Sequence, residues 1–142
     1  SAASDHRVFH LLQLAAHKAK TRADRGALAE TGVTAAQAAV MYVIARMPGA
    51  TQKQVADQVQ QKEPAVAGMV ARLLDGGLLA REPSATDGRA WALNLTSRGD
   101  AALASFRAPL DQINARLTNA LGGEAEVERF ALMLKAILDA DL

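Results

Sequence analysis

Asp87 and Arg89 stand two residues apart in the run P-S-A-T-D-G-R-A-W, Pro83 to Trp91. A carboxylate and a guanidinium that face each other form a strong, charge-assisted pair. Pro83, Ser84, Asp87 and Gly88 are turn residues, and the run lies between two short apolar stretches, L-L-A-R-E (78–82) and W-A-L-N-L (91–95). This pattern predicts a β-hairpin whose loop is longer than the tight two-residue kind. Such a loop does not make a catalytic dyad of Asp87 and Arg89. A guanidinium at a hairpin tip does suit the narrow, electronegative minor groove of DNA. Asp87 would then accept hydrogen bonds from Arg89 or from the loop backbone. The plainer alternative is a solvent-exposed ion pair worth at most about 1 kcal/mol.

His6, His10 and His17 are the other residues whose type and spacing suggest chemistry. They project from one side of a helix, and an H-x-x-x-H pair on one face can bind zinc. No further histidine or carboxylate completes a site, so no metal is expected and interface or pocket roles are favoured. The chain has no cysteine, which excludes disulfides, thiolate metal sites and a cysteine nucleophile. It carries no nucleophile elbow, phosphate loop or paired acids in a motif context. Neither an enzyme nor a cofactor is expected.

The elements that position these residues are mostly helical. The 142 residues amount to one domain, and half of them are hydrophobic with few aromatics. Residues 1–61 carry seven basic and four acidic side chains, residues 62–98 five and four, and residues 99–142 four and seven. The last segment is therefore the poorest surface for a polyanion. No apolar run reaches the roughly 20 residues of a membrane span. The expectation is a cytoplasmic protein without a membrane partner.

A first helix is expected over 5–27, carrying Val8, Leu11, Leu12, Ala15 and Ala19 at helical spacing. Thr34 with Gln37, and Thr51 with Gln54, form capping-box patterns that open a second and a third helix. The second buries Val40, Val43, Ile44 and Met47; the third is short, through Val59. Pro64 fits the first turn of a fourth helix with the stripe Val66, Met69, Val70, Leu73 and Leu74. Gly76-Gly77 stops it, and the hairpin follows. Thr96 caps a fifth helix running to about Leu121, and after Gly122-Gly123 a last helix carries Val127, Phe130, Leu134, Ile137 and Leu138.

A short helix, a turn, a helix and then a hairpin make a winged helix-turn-helix, in which the second helix can enter a DNA major groove. The runs V-T-A-A-Q-A-A-V-M-Y-V-I (33–44), T-Q-K-Q-V-A-D-Q-V (51–59), V-A-G-M-V-A-R-L-L-D-G-G-L-L-A-R-E (66–82) and D-G-R-A-W-A-L-N-L-T-S-R-G (87–99) resemble MarR-family transcriptional regulators. The D-x-R wing and the L-T-x-x-G that follows carry the resemblance most specifically. It implies a mainly α fold with a small β-hairpin wing. It also implies a winged helix-turn-helix at 33–103 and helical dimerisation segments at 5–30 and 104–142. The function implied is sequence-specific binding of double-stranded DNA, as a homodimeric, ligand-responsive repressor on a pseudo-palindromic operator. A small aromatic or anionic effector would bind between the dimer helices and the DNA-binding lobe.

The bare sequence agrees about the dimer. Val8, Phe9, Leu12, Phe130, Leu134, Ile137 and Leu138 exceed what one small winged unit can cover. The fourth helix departs from the family pattern. Its opening, E-P-A-V-A-G (63–68), offers no side-chain hydrogen bond from Pro64, Ala65, Ala67 or Gly68. Either the alanines pack on thymine methyls and shape readout discriminates, or this is a winged-helix interaction protein with weak or lost operator binding. The candidate DNA contacts are Lys53, Gln54, Lys62, Ala65, Ala67, Gly68, Arg72, Arg81, Asp87, Arg89 and Arg98. Arg72 could equally bridge to a carboxylate. For the effector, Ala38 stands where the family commonly has a bulky aromatic. It either lets helices pack closely or opens a cavity walled by His10, His17, Met41, Tyr42 and Phe106.

Overall fold

The computed structural model describes residues 7–26 and 28–142. Among the described residues, eight helices and one hairpin follow in order: α1 (Val8–Arg25), α2 (Leu28–Thr31), α3 (Ala35–Arg46), α4 (Gln52–Val59), α5 (Glu63–Asp75), β1 (Leu79–Pro83), β2 (Trp91–Leu95), α6 (Ser97–Ser105), α7 (Arg107–Leu121) and α8 (Glu124–Asp139). The winged helix-turn-helix read from the sequence is present. His6, and the ends of the first expected helix, lie outside the described residues.

Local chemistry sets the starts of the central helices. Thr34 accepts from the Gln37 N–H while the Gln37 side chain accepts from the Thr34 N–H, and Thr51 and Gln54 repeat the arrangement. Each box satisfies two of the donors that a helix start leaves open. Asp24 adds a third device at α3. Its Oδ1 accepts from the Ala35 N–H at 2.6 Å, eleven residues along the chain. The negative charge also suits the positive end of the helix.

The core forms where α3, α4, α5 and the hairpin meet. Val40, Met41, Ile44, Val55, Val66, Val70, Leu73, Leu79, Leu93 and Phe106 are almost fully buried. Val43 and Met47, expected in the α3 stripe, are half-buried, and Met41, Ala38 and Gln37 take the inward positions. The hairpin is antiparallel, pairing Leu79 with Leu95, Arg81 with Leu93 and Pro83 with Trp91. Ala50, just before α4, bridges to Leu93 as a one-residue third strand.

The L-T-x-x-G segment joins the wing to α6. Thr96 Oγ1 accepts from the Gly99 N–H at 3.1 Å and donates to the Gly77 carbonyl at 2.6 Å. The backbone of Gly99 lies so close to Leu78 that a Cβ would collide with its carbonyl oxygen.

The expected fifth helix is two helices. The chain breaks between Ser105 and Arg107, with Phe106 turned into the core. Pro109 accounts for the break. It has no N–H to give to the Ser105 carbonyl, and its ring would clash with that group in a continuous helix. At the far end Gly122 and Gly123 take positive φ values of 98° and 126°, which bend α7 back into α8.

Candidate nucleic-acid interface

The helix-turn-helix is α4 and α5. The turn passes through Gln60, the one described non-glycine residue with positive φ (56°). Its amide donates to the Asp57 carbonyl at 2.8 Å, and the Gln61 N–H reaches back to the Ala56 carbonyl. This ends α4 sharply and redirects the chain into α5.

Val66, Val70 and Leu73 anchor α5 in the core. Spacing by three and four then leaves Ala65, Gly68, Ala71 and Arg72 on the outward side, all exposed. Ala67 is half-buried. Lys62 is the N-cap residue but makes no side-chain cap, and Glu63 in the first turn supplies the favourable negative charge instead. A Cβ added at Gly68 would meet nothing within 4 Å, so no internal packing requires glycine there. Arg72 has no ion-pair partner among the described residues, so the structure does not show the carboxylate bridge.

The wing tip is held by its own hydrogen bonds. Ser84 Oγ accepts from the N–H groups of Thr86 and Asp87, and Ser84 and Asp87 are further tied to Ala90 through the backbone. Asp87 Oδ1 accepts from the backbone N–H of Arg89 at 3.1 Å. Of the two roles open to Asp87, this is the one that shapes the loop. The Arg89 guanidinium has no ion-pair partner among the described residues and is exposed.

The other expected contacts divide. Lys53 is exposed on α4. Gln54 is exposed too, but its Oε1 is committed to the cap, accepting from the Thr51 N–H at 2.9 Å. Arg98 lies in the first turn of α6, its guanidinium near Gly77. Arg81 stacks on Trp91, with its guanidinium carbon 4.5 Å from the ring centroid. Residue types alone do not reveal that stack. The strand register does, by making the two residues diagonal neighbours.

A separate open groove of about 700 Å³ runs between α3, α6 and α7. Ala35, Ala38, Ala39 and Ala104 widen it, Tyr42 stands on its wall, and Phe106 and Leu103 line its floor. Arg107, Asp100 and Asp111 bring both signs of charge to it, and Asn114 adds a neutral amide. Of the expected lining, Ala38, Tyr42 and Phe106 are present. Met41 is instead fully buried in the core, and His10 and His17 are exposed on α1, away from this groove. Among the described residues no three histidine or acidic side chains cluster as metal ligands.

Residues 31–90 match the family model described as MarR family. The chain is 31% identical over 108 residues to the transcriptional regulator HosA of Escherichia coli O111:H-, covering 76% of this chain and 79% of that protein. Its fold matches the S. aureus MepR–DNA complex with a TM-score of 0.80 at 25% identity, covering 91% of this chain and 94% of that one. It also matches the transcriptional repressor CouR bound to a 23-mer DNA duplex, with a TM-score of 0.85 at 26% identity and 94% of each chain covered. The capped α3 and α4, the L-T-x-x-G joint and the D-x-R wing are thus set in a fold shared with these proteins, and the chain belongs to the MarR family of transcriptional regulators.

Proposed function

We propose that this protein is a homodimeric repressor that binds a pseudo-palindromic operator through α5 and the wing, and releases it when a small aromatic or anionic molecule occupies the α3–α6–α7 groove. The observation that carries the DNA reading is the wing tip. Asp87 and Ser84 spend their acceptors on the loop backbone, which leaves a rigid tip with an unengaged cation at its end. A preordered tip gives up little entropy when Arg89 enters a minor groove. MepR and CouR, each solved on DNA, lend support through the shared fold.

The dimer reading rests on exposed apolar residues of the flanking helices. Val8, Phe9, Leu11, Leu14, Leu117, Leu132, Met133 and Leu138 are exposed on α1, α7 and α8. Apolar surface of that extent calls for a partner, and a twofold pair of α5 helices about 34 Å apart would match one turn of B-DNA. Residues 5–30 and 104–142 would form the interface and residues 33–103 the reading unit. Arg107 in the groove would receive an effector's anionic group, and the alanines would admit its ring. Cytoplasmic location follows from access to DNA.

A second reading is favoured by α5 itself. The first turns of its outward side offer Pro64, Ala65 and Gly68, none of which carries a hydrogen-bonding side chain, and Arg72 follows only a turn later. A winged-helix interaction protein with weak or lost operator affinity would tolerate that surface. Fluorescence polarisation on a duplex from the protein's own upstream region separates the two. Salt-sensitive binding that exceeds binding to a scrambled duplex supports the regulator, and equal weak binding to both supports the interaction protein. Light scattering at micromolar protein tests the dimer, and a monomer there refutes it. Titration with salicylate tests effector control.

A further inference from the structure

The hairpin carries a second arginine well away from its tip. Arg81 lies in the middle of β1, paired with Leu93, and Trp91 is paired with Pro83 two residues further out. Partners in the register share a face, so Arg81, Pro83, Trp91 and Leu93 lie on one side of the ribbon. Leu93 is buried on that side, whereas Trp91 is 46% exposed and covers a cation rather than joining the core.

Stacking occupies the face of a guanidinium and leaves its N–H donors in the plane. Among the described residues no carboxylate lies within ion-pair distance of Arg81. Glu82, its sequence neighbour, pairs with Ala92 on the opposite side of the ribbon. A cation whose face is held and whose edge is free is prepared for two oxygens of one phosphate.

We propose that Trp91 is a positioning residue for Arg81, and that Arg81, held over the indole, grips a DNA backbone phosphate beside the groove entered by Arg89. This rests on the DNA-binding reading above and adds a contact to it. The indole fixes the plane of the guanidinium, and Arg81 alone touches the phosphate.

Polarisation titrations at several salt concentrations test the pair. Arg81→Ala and Trp91→Ala each weaken binding roughly tenfold, and the double variant is no weaker than Arg81→Ala, because the indole acts through the arginine. Arg81→Ala lowers the salt slope of log K by about 1. Arg81→Lys keeps the slope but not the affinity, and Trp91→Phe restores most of the affinity. Trp91 is the sole tryptophan, so its emission also shifts when DNA is added and protein folding is intact. Wild-type affinity in Arg81→Lys, additive losses in the double variant, or unchanged emission on saturation with DNA would each overturn the proposal. Should Trp91→Ala melt well below wild type, the Arg81→Lys and Trp91→Phe pair decides alone. A wild-type protein that binds no DNA refutes the functional reading itself. Binding that is indifferent to all these variants removes only the Arg81–Trp91 contact.

Discussion

The carboxylate of Asp24 accepts from the backbone N–H of Ala35, so the end of α1 is fastened to the start of α3 at 2.6 Å. Asp24→Ala leaves that donor without its partner and removes a negative charge from the positive end of α3. A loss of about 1 kcal/mol is expected, read as a lower urea midpoint with an unchanged m-value. Asp24→Asn keeps an acceptor oxygen and recovers most of the loss.

Gly99 is a second fixed point. A methyl group there would meet the Leu78 carbonyl, which itself accepts from the Thr96 N–H at 3.1 Å. Gly99→Ala therefore forces backbone to move and costs on the order of 1–3 kcal/mol. Thermal melts check this, and a melting temperature equal to wild type contradicts it.

Gly68 behaves in the opposite way. It sits within an exposed helix face with open space around its α-carbon. Gly68→Ala should stabilise the protein by roughly 1 kcal/mol. If α5 enters a major groove with its backbone close to the bases, the same change lowers DNA affinity. Paired melting and polarisation measurements test the opposite signs, and a stabilised variant with undiminished affinity rejects close approach at this position.

Arg89→Ala removes a side chain that no described carboxylate holds. The melting temperature should stay within about a degree, since surface changes of this kind move stability little. DNA affinity should fall, with a salt slope smaller by about 1. Asp87→Ala, in contrast, loosens the loop backbone, and its loss of affinity should be milder because the cation remains.

Much of this architecture was readable because its signals are local. Thr34 with Gln37 and Thr51 with Gln54 lie within a single turn, so the spacing that suggests a capping box is the spacing that makes one. The α6–α7 break was hidden for a related reason. Leu103, Phe106, Leu110, Ile113 and Leu117 keep helical spacing straight through it, and only Pro109 betrays it. Asp24 gives no local signal, because its acceptor serves a helix start eleven residues away. Trp91 carries no local sign of its partner, because only the strand register brings Arg81 over its ring. Met41 looked available for the groove, yet α3 is packed on enough sides that the position faces inward. Spacing identifies faces, and it does not say how many neighbours each face will meet.

The interruption at Phe106 has mechanical meaning. A continuous rod from Thr96 to Leu121 would transmit any tilt of its far half directly into the wing and α5. Two rods meeting at one buried ring would instead let the angle follow whatever fills the space in the crook. That space is the alanine-rich groove, whose walls are α6 on one side of the joint and α7 on the other. An effector lodged there, as proposed above, would act as a wedge in a hinge: it would prop the joint at one opening, and the reach between the two reading helices of the proposed dimer would change with it.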